Sequence, residues 1–272
     1  MSHPLRPIAF VLAASDYGPL IVNRFDRHIN NDGSGYGVGY EILGTSTYAS
    51  QEVALVTGLL GVRRQHFGDG VVAIDCGANI GVHTIEWAKT MTGWGSVLAI
   101  EAQERIFYAL AGNISINNCF NARAIHVAVG GEAGVIRIPQ PDYLKPASFG
   151  SLELKQRATN EYIGQKIDYS DEATVPVRCI TLDSLGMSRI DLLKIDVEGM
   201  EIETLAGAEN LIRSFSPIIL VEWIKSSRED LKNMLSQFNY VYFEVGINLL
   251  AIHNSDPTLG HVKSSAPRAT PA

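Results

Sequence analysis

Cysteine is scarce in this chain, with Cys76, Cys119 and Cys179 the only three in 272 residues. Odd in number and without metal-type spacing, they fit a reducing cytoplasm. Positive charge is also short: 22 Lys and Arg stand against 29 Asp and Glu, a net charge of −7. With no Lys/Arg-rich run, a nucleic-acid partner is not expected. No apolar run approaches the roughly eighteen residues that cross a bilayer, so no membrane partner is expected either. Ile8–Ala14 after Arg6 is the nearest approach to a signal-peptide core, but the run is short and also reads as a strand before a turn. No internal repeat is visible. Missing too are the Lys-Ser/Thr ending of a phosphate-binding loop and the G-x-G-x-x-G of a dinucleotide fold.

In place of that fingerprint stands Val71-Val72-Ala73-Ile74-Asp75-Cys76-Gly77-Ala78-Asn79-Ile80-Gly81-Val82-His83-Thr84. A short apolar run ends in an acid, a glycine turn follows, and a helical period then begins. Gly77 suits a sharp turn and close approach to a ligand; Gly81 suits close packing of the helix on the strand. Ala78 and Asn79 occupy the place where a second glycine would have to be. An acid at that strand end repels a pyrophosphate and suits a ligand with an ammonium group or neutral hydroxyls, which disfavours a nicotinamide-dependent oxidoreductase. Gly95–Glu101 is a second buried strand ending in an acid, about twenty residues on, where a carboxylate grips ribose hydroxyls. Together the two stretches favour S-adenosylmethionine as cofactor.

Residues 8–14 and 20–25 are β-prone and separated by a turn cluster, so an N-terminal hairpin is expected. Residues 30–39 are glycine-rich and polar, and read as an irregular connector. Ser46 or Ser50 could cap a helix to about Leu60, with Tyr48 and Glu52 at its start. Helical period over 105–117 precedes a third strand at 122–129, with His126 near its end. Val135–Ile138 reads as a small extra strand. Residues 139–173 form an insertion of the kind that carries function, typically a substrate loop. Pro176 marks 175–180 as an edge-type strand.

Ile190–Gly199 is a buried parallel strand with charges at its carboxyl end. Period two puts Lys194, Asp196 and Glu198 on one face. A buried lysine must pair, and Asp75, Glu101 or Glu222 are its candidate partners. A helix over 201–215, a strand over 217–223 ending near Glu222, a helix over 226–238 and β runs at 240–245 and 249–253 complete an α/β pattern with a mixed sheet. The organisation expected is 1–45 for the hairpin and Gly-rich loop, 46–254 for the main domain with its insertion at 139–173, and 255–272 for a disordered tail.

The chain resembles the FkbM family of S-adenosylmethionine-dependent methyltransferases. The resemblance rests on Asp75–Gly81, Ala99–Glu101, Val127–Gly130, Thr181–Asp183, Leu193–Glu201, Leu205–Ala208 and Pro217 followed by Glu222. It covers roughly residues 50–225, and K-I-D-V-E-G-x-E is its most specific piece. It implies a class I methyltransferase (Rossmann-like) fold, a mixed seven-stranded sheet of order 3-2-1-4-5-7-6, here with an N-terminal β-hairpin extension. It also implies O-methylation of a sugar, polyketide or other small metabolite. Asp75, Gly77, Ala78, Asn79 and Gly81 would hold the amino-acid part of the cofactor, and Glu101 with Ala102 the ribose. His126, Val127 and Ala128 would lie near adenine. Ala102-Gln103 departs from the family, which commonly has a proline there.

Methyl transfer is an in-line displacement, so the protein mainly aligns the nucleophile and helps a hydroxyl lose its proton. Asp196 is the first candidate for that work, followed by Glu198 and Glu222. No histidine has ligand spacing, so no metal is assigned, although neighbouring acids could bind one. The partner expected is a small-molecule acceptor, and a homodimer is left open. N-methylation and a non-catalytic cofactor-binding domain are the alternatives.

Overall fold

The computed structural model describes residues 6–262. Seven strands form the main sheet, and we number them along the chain: β1 (Val71–Cys76), β2 (Gly95–Glu101), β3 (Ala122–His126), β4 (Leu192–Ile195), β5 (Ile218–Glu222), β6 (Tyr240–Val245) and β7 (Asn248–His253). Their spatial order is 3-2-1-4-5-7-6. β1 to β5 are parallel to their neighbours, whereas β7 runs antiparallel between β5 and β6. The strand order reverses between β1 and β4, which opens a crevice at the carboxyl edge there.

Strand alternation decides which side chains reach that crevice. Val71 and Ala73 of β1, Val97 and Ala99 of β2, Leu192 of β4 and Ile218 and Leu220 of β5 pack in one apolar cluster. Ile74, Cys76, Ile100, Leu193, Ile195, Ile219 and Val221 pack in another on the opposite face. With period two, Asp75, Glu101, Lys194 and Glu222 project on the first face. Four charged side chains from four neighbouring strands thus leave the sheet on the same side, at the same end.

That face is covered by the helix Ser50–Phe67 and by the N-terminal segment. The hairpin pairs Phe10–Ala13 with Leu20–Asn23, as the sequence suggested. The glycine-rich stretch is more regular than expected: His28–Ile29 pairs with Gly35–Tyr36, and a helix starts at Val38. Asp26 organises this segment, accepting from the Gly39 and Phe149 amides at 2.9 Å each. Burial pushes its carboxyl up, from the ordinary 3.8 to about 6, against those hydrogen bonds.

Several expected boundaries shift for identifiable reasons. The third strand breaks at Val127, and Ala128–Val129 joins a separate sheet with Gly134–Pro139 and Thr174–Ile180. Thr174–Ile180 is central there, yet Pro176 has a neighbour on one side only, because Ala128–Val129 reaches just Cys179 and Ile180. The helix expected over 201–215 is split into Glu201–Ala206 and Glu209–Phe215. A side chain at Gly207 would come within 2.1 Å of the Gly130 carbonyl oxygen, so two pieces of the family pattern meet in one close contact. Asp183 accepts from the Asn210 and Leu211 amides at the start of the second piece.

Residues 255–262, expected in a disordered tail, are ordered: Asp256 is buried and ion-paired with Arg63, and Pro257–His261 forms a short 3-10 helix. The rest of the expected tail lies outside the described residues. At the amino edge of the sheet, Asp191 joins Arg63 and Arg189 in a buried network. Among the described residues no helix is long and apolar enough to cross a membrane.

Candidate active site

The crevice is a cavity of about 410 Å³, within the size range of sites for small ligands and cofactors. The loop after β1 forms its floor. Gly77 has φ +77°, and a side chain there would sit 1.7 Å from the Asp196 carbonyl oxygen. The sequence suggested that Gly77 admits a ligand; the structure shows it admits the backbone of the neighbouring strand end. Asn79 also turns with positive φ, and its amide donates to Glu101 Oε2 at 2.9 Å. Glu101 Oε1 accepts from the Gln103 amide at 2.7 Å. Burial nonetheless pushes the Glu101 carboxyl up to about 7, against these amide hydrogen bonds.

Asp75 is 1 % exposed. Its Oδ2 accepts from Thr84 Oγ1 at 2.7 Å, whereas Oδ1 is buried with no partner. A buried carboxylate oxygen without a donor is costly, so the arrangement suits a cationic or hydrogen-bonding ligand group. Ala78, Ala102, Val127 and Ala128 join Asp75, Gly77, Asn79 and Glu101 in the lining. Two residues expected there are absent from the wall. Gly81 heads the helix Val82–Thr90, and a side chain there would strike Leu110 Cδ1 at 2.6 Å, so it serves packing. His126 turns away because its ring stacks on Phe107 and its Nε2 lies 2.9 Å from the Ala102 carbonyl oxygen.

On the other side lie Asp196, Glu198 and Glu222, each with an oxygen within 4.8 Å of the others'. Lys194 is paired at 2.9 Å with Asp196, not with Asp75, Glu101 or Glu222. Burial pushes its ammonium down, but Asp196, Asp75 and Glu52 more than reverse this and hold it above its ordinary value. Strand geometry ends at Ile195, and Glu198 has φ +55°, so the expected shared face for Glu198 does not persist. Glu198 Oε2 accepts from Lys225 instead.

Like charges this close repel by roughly 3–4 kcal/mol per pair at an effective dielectric of about 20. Burial first, then this repulsion from Asp196 and Glu198, drives the Glu222 carboxyl well above the carboxylate range. Burial raises Glu198 too, against the pull of Lys225. Glu201, the last acid of the K-I-D-V-E-G-x-E piece, is structural: its Oε1 takes the Val197 and Gly199 amides and fixes the turn that carries Glu198.

The roof brings in residues that sequence reasoning left without a role. Tyr48 and Glu52, at the start of the covering helix, both face the cavity. Glu52 Oε1 lies 3.0 Å from His83 Nε2, and Oε2 accepts from Asn248 Nδ2 at 2.7 Å. Burial pushes Glu52 up, but His83, Lys194 and Asn248 outweigh it and hold the carboxyl below its usual range. Burial, then the charge of Asp196, raises the Tyr48 phenol.

The 139–173 insertion contributes Ser148, Gly150, Ser151, Leu152, Leu154 and Glu161 to the wall. It is held down by Gln103 Nε2 on the Phe149 carbonyl oxygen, by Arg157 on the Gly199 carbonyl oxygen and by Glu161 at 3.2 Å from Lys225. Tyr36 from the N-terminal segment donates to Glu161 at 2.7 Å. Gln103 and His83 stood inside or beside the informative stretches, but nothing in their spacing marked them. Glu161 and Tyr36 carried no signal.

Comparison with known proteins bears on this geometry. The model of the methyltransferase FkbM domain matches residues 75–243. Methyltransferase 1 of Beauveria bassiana (strain ARSEF 2860) is 27 % identical over 153 residues, 53 % of this chain and 61 % of that protein. Methyltransferase sdnD of Sordaria araneosa is 26 % identical over 156 residues, 50 % of this chain and 60 % of that protein. The chain thus spans about three fifths of the length of these curated relatives. Among solved structures, the methyltransferase FkbM from Methylobacillus flagellatus KT aligns with a TM-score of 0.47 and 18 % identity, over 68 % of this chain and 44 % of that one. The family match begins at Asp75, whose carboxylate opens the cavity, and runs through all four charged strand ends; this chain belongs to the FkbM methyltransferase family.

Proposed function

We propose that the chain is an S-adenosylmethionine-dependent methyltransferase acting on a hydroxyl of a small metabolite such as a sugar or polyketide. The observation that carries this reading is Asp75, whose buried Oδ1 has no partner and lines the cavity in a chain of methyltransferase family. An acid there opposes a pyrophosphate and suits an ammonium group. Asp75, with Gly77 to Asn79, would hold the amino-acid end of the cofactor. Glu101 keeps acceptor capacity beyond its two amide bonds and would take ribose hydroxyls, and Val127 with Ala128 offers an apolar wall for adenine. When bound, the cofactor supplies an activated methyl group.

The chain's own residues align and deprotonate the acceptor. Asp196, held by Lys194, orients the acceptor hydroxyl or takes its proton. Glu222 and Glu198 flank it, and the insertion with the N-terminal segment walls the acceptor side of the chamber. The net charge of −7 and the unpaired, buried cysteines support a small-molecule partner and a cytoplasmic setting.

Calorimetry with S-adenosylmethionine and with a nicotinamide dinucleotide tests the cofactor. Binding of the dinucleotide without S-adenosylmethionine refutes the reading. Release of S-adenosylhomocysteine across a panel of alcohols and amines tests transfer, with Asp196→Ala as the comparison. Turnover with amines alone replaces O- by N-methylation.

A further inference from the structure

The chemistry above uses Asp196, but it leaves Glu222 unexplained. Glu222 is 7 % exposed, and neither of its carboxylate oxygens accepts a hydrogen bond or meets a cation within pairing distance among the described residues. Its Oε2 is closed off from solvent. Its two neighbours are each half satisfied. Asp196 gives Oδ2 to Lys194 at 2.9 Å, and Glu198 gives Oε2 to Lys225, which also meets the Ser151 carbonyl oxygen. Asp196 Oδ1 and Glu198 Oε1 make no hydrogen bond within the described protein. One oxygen from each of the three acids lies within 4.8 Å of the others, and a lysine holds one oxygen on two of these acids.

Each lysine occupies one carboxylate oxygen and leaves the second oxygen of Asp196 and of Glu198 without a protein partner among the described residues. Ligating carboxylates are commonly fixed by such outer partners. Three acids face two lysines, one of them shared with Glu161, so the cluster is short of positive charge and suits a cation. The donor set is oxygen only, with no thiolate or imidazole, and such sets select hard divalent ions of the Mg²⁺ or Mn²⁺ kind. Mg²⁺ commonly sits on one or two carboxylates and completes its shell with water and substrate oxygens. The cluster lies on the acceptor side of the cavity, beside Asp196.

We propose that Asp196, Glu198 and Glu222 bind a hard divalent cation, on which the acceptor's oxygens would be oriented. What the cation does there rests on the methyl-transfer reading; that it binds does not.

The test is a titration of the chelator-stripped full chain with MnCl₂, followed by the electron paramagnetic resonance signal of free Mn²⁺. Wild type takes up one Mn²⁺ at up to millimolar concentration, and excess Mg²⁺ displaces it. Glu222→Gln keeps the shape and removes the charge, and weakens binding by more than about tenfold, a loss that even outer-shell changes bring. Near-ultraviolet circular dichroism and S-adenosylhomocysteine binding verify that the variant is folded; Asp196→Asn serves if it is not. Absence of Mn²⁺ uptake by wild type overturns the proposal, as does equal uptake by the folded variants. S-adenosylhomocysteine binding without Mn²⁺ uptake overturns the cation site and spares the methyl-transfer reading. Mn²⁺ uptake without cofactor binding supports the cation site and counts against that reading.

Discussion

Gly77→Ala separates two roles for the glycine of the first turn. At φ +77° an alanine pays about 1–2 kcal/mol for the left-handed conformation alone. Its Cβ would also stand 1.7 Å from the Asp196 carbonyl oxygen, and real contacts of this kind hold at 3.0 Å or more. The two strand ends must therefore part by more than 1 Å, an overpacking cost of about 1–3 kcal/mol. Destabilisation of roughly 2–5 kcal/mol is expected, read as a shift in urea unfolding followed by circular dichroism. Asp196 moves with its carbonyl, and a 1 Å misplacement of a reacting group costs about 100-fold in rate. The turnover number should fall on that scale. Gly81→Ala is the control. It carries the same left-handed strain at φ +93°, but its Cβ meets only the far end of Leu110, a side chain that can turn aside. Equal losses in the two variants would refute the backbone-clash account. So would a Gly77→Ala enzyme that loses cofactor affinity while its turnover number holds.

Asp75→Asn removes the charge behind the unpartnered Oδ1 and should weaken S-adenosylhomocysteine binding by roughly 1.5–3 kcal/mol, ten- to hundredfold, in calorimetry. Asp191→Ala leaves Arg63 with Asp256 alone and takes the acceptor from Arg189 and the Val72 amide, and should cost about 1–3 kcal/mol in urea unfolding, with the candidate site untouched. Asp26 titrates at about 6 in the fold against 3.8 for the free side chain, so between those values the native state holds the extra proton. Stability from this group is therefore present at low pH and lost as pH rises through about 6, by roughly 3 kcal/mol. Asp26→Asn should flatten that part of a stability profile taken from pH 4 to 7, and an unchanged slope would refute it.

The sheet was legible because its code is short-range. β1, β2 and β5 each hold a run of four apolar residues closed by an acid, and β4 differs only by Lys194 before Asp196. Boundaries were lost where tertiary contact overrides period. The helix breaks at Gly207, where the nearby Gly130 carbonyl leaves no room for a side chain, and past the end of β4 at Ile195 Glu201 gathers the Val197 and Gly199 amides. No local pattern records either. The ordered 255–262 segment is the same case, since a polar tail is pinned by Arg63, nearly two hundred residues earlier.

The site divides along the same line. The half proposed to hold the cofactor is built from strand ends and the turns directly after them, so composition and spacing singled out Asp75 and Glu101, both of which line the cavity. The half proposed to take the acceptor is built from parts far apart in sequence: Tyr36 on Glu161, Glu161 on Lys225, and Lys225 on Glu198. Each of those residues alone is an ordinary surface charge or aromatic. Only their meeting buries the Lys225 side chain and sets it against Glu198. On the proposed function, acceptor choice would rest on these pairwise contacts between the N-terminal segment, the insertion and the loop after β5. A substitution in any one of the three should change acceptor choice before it changes cofactor affinity.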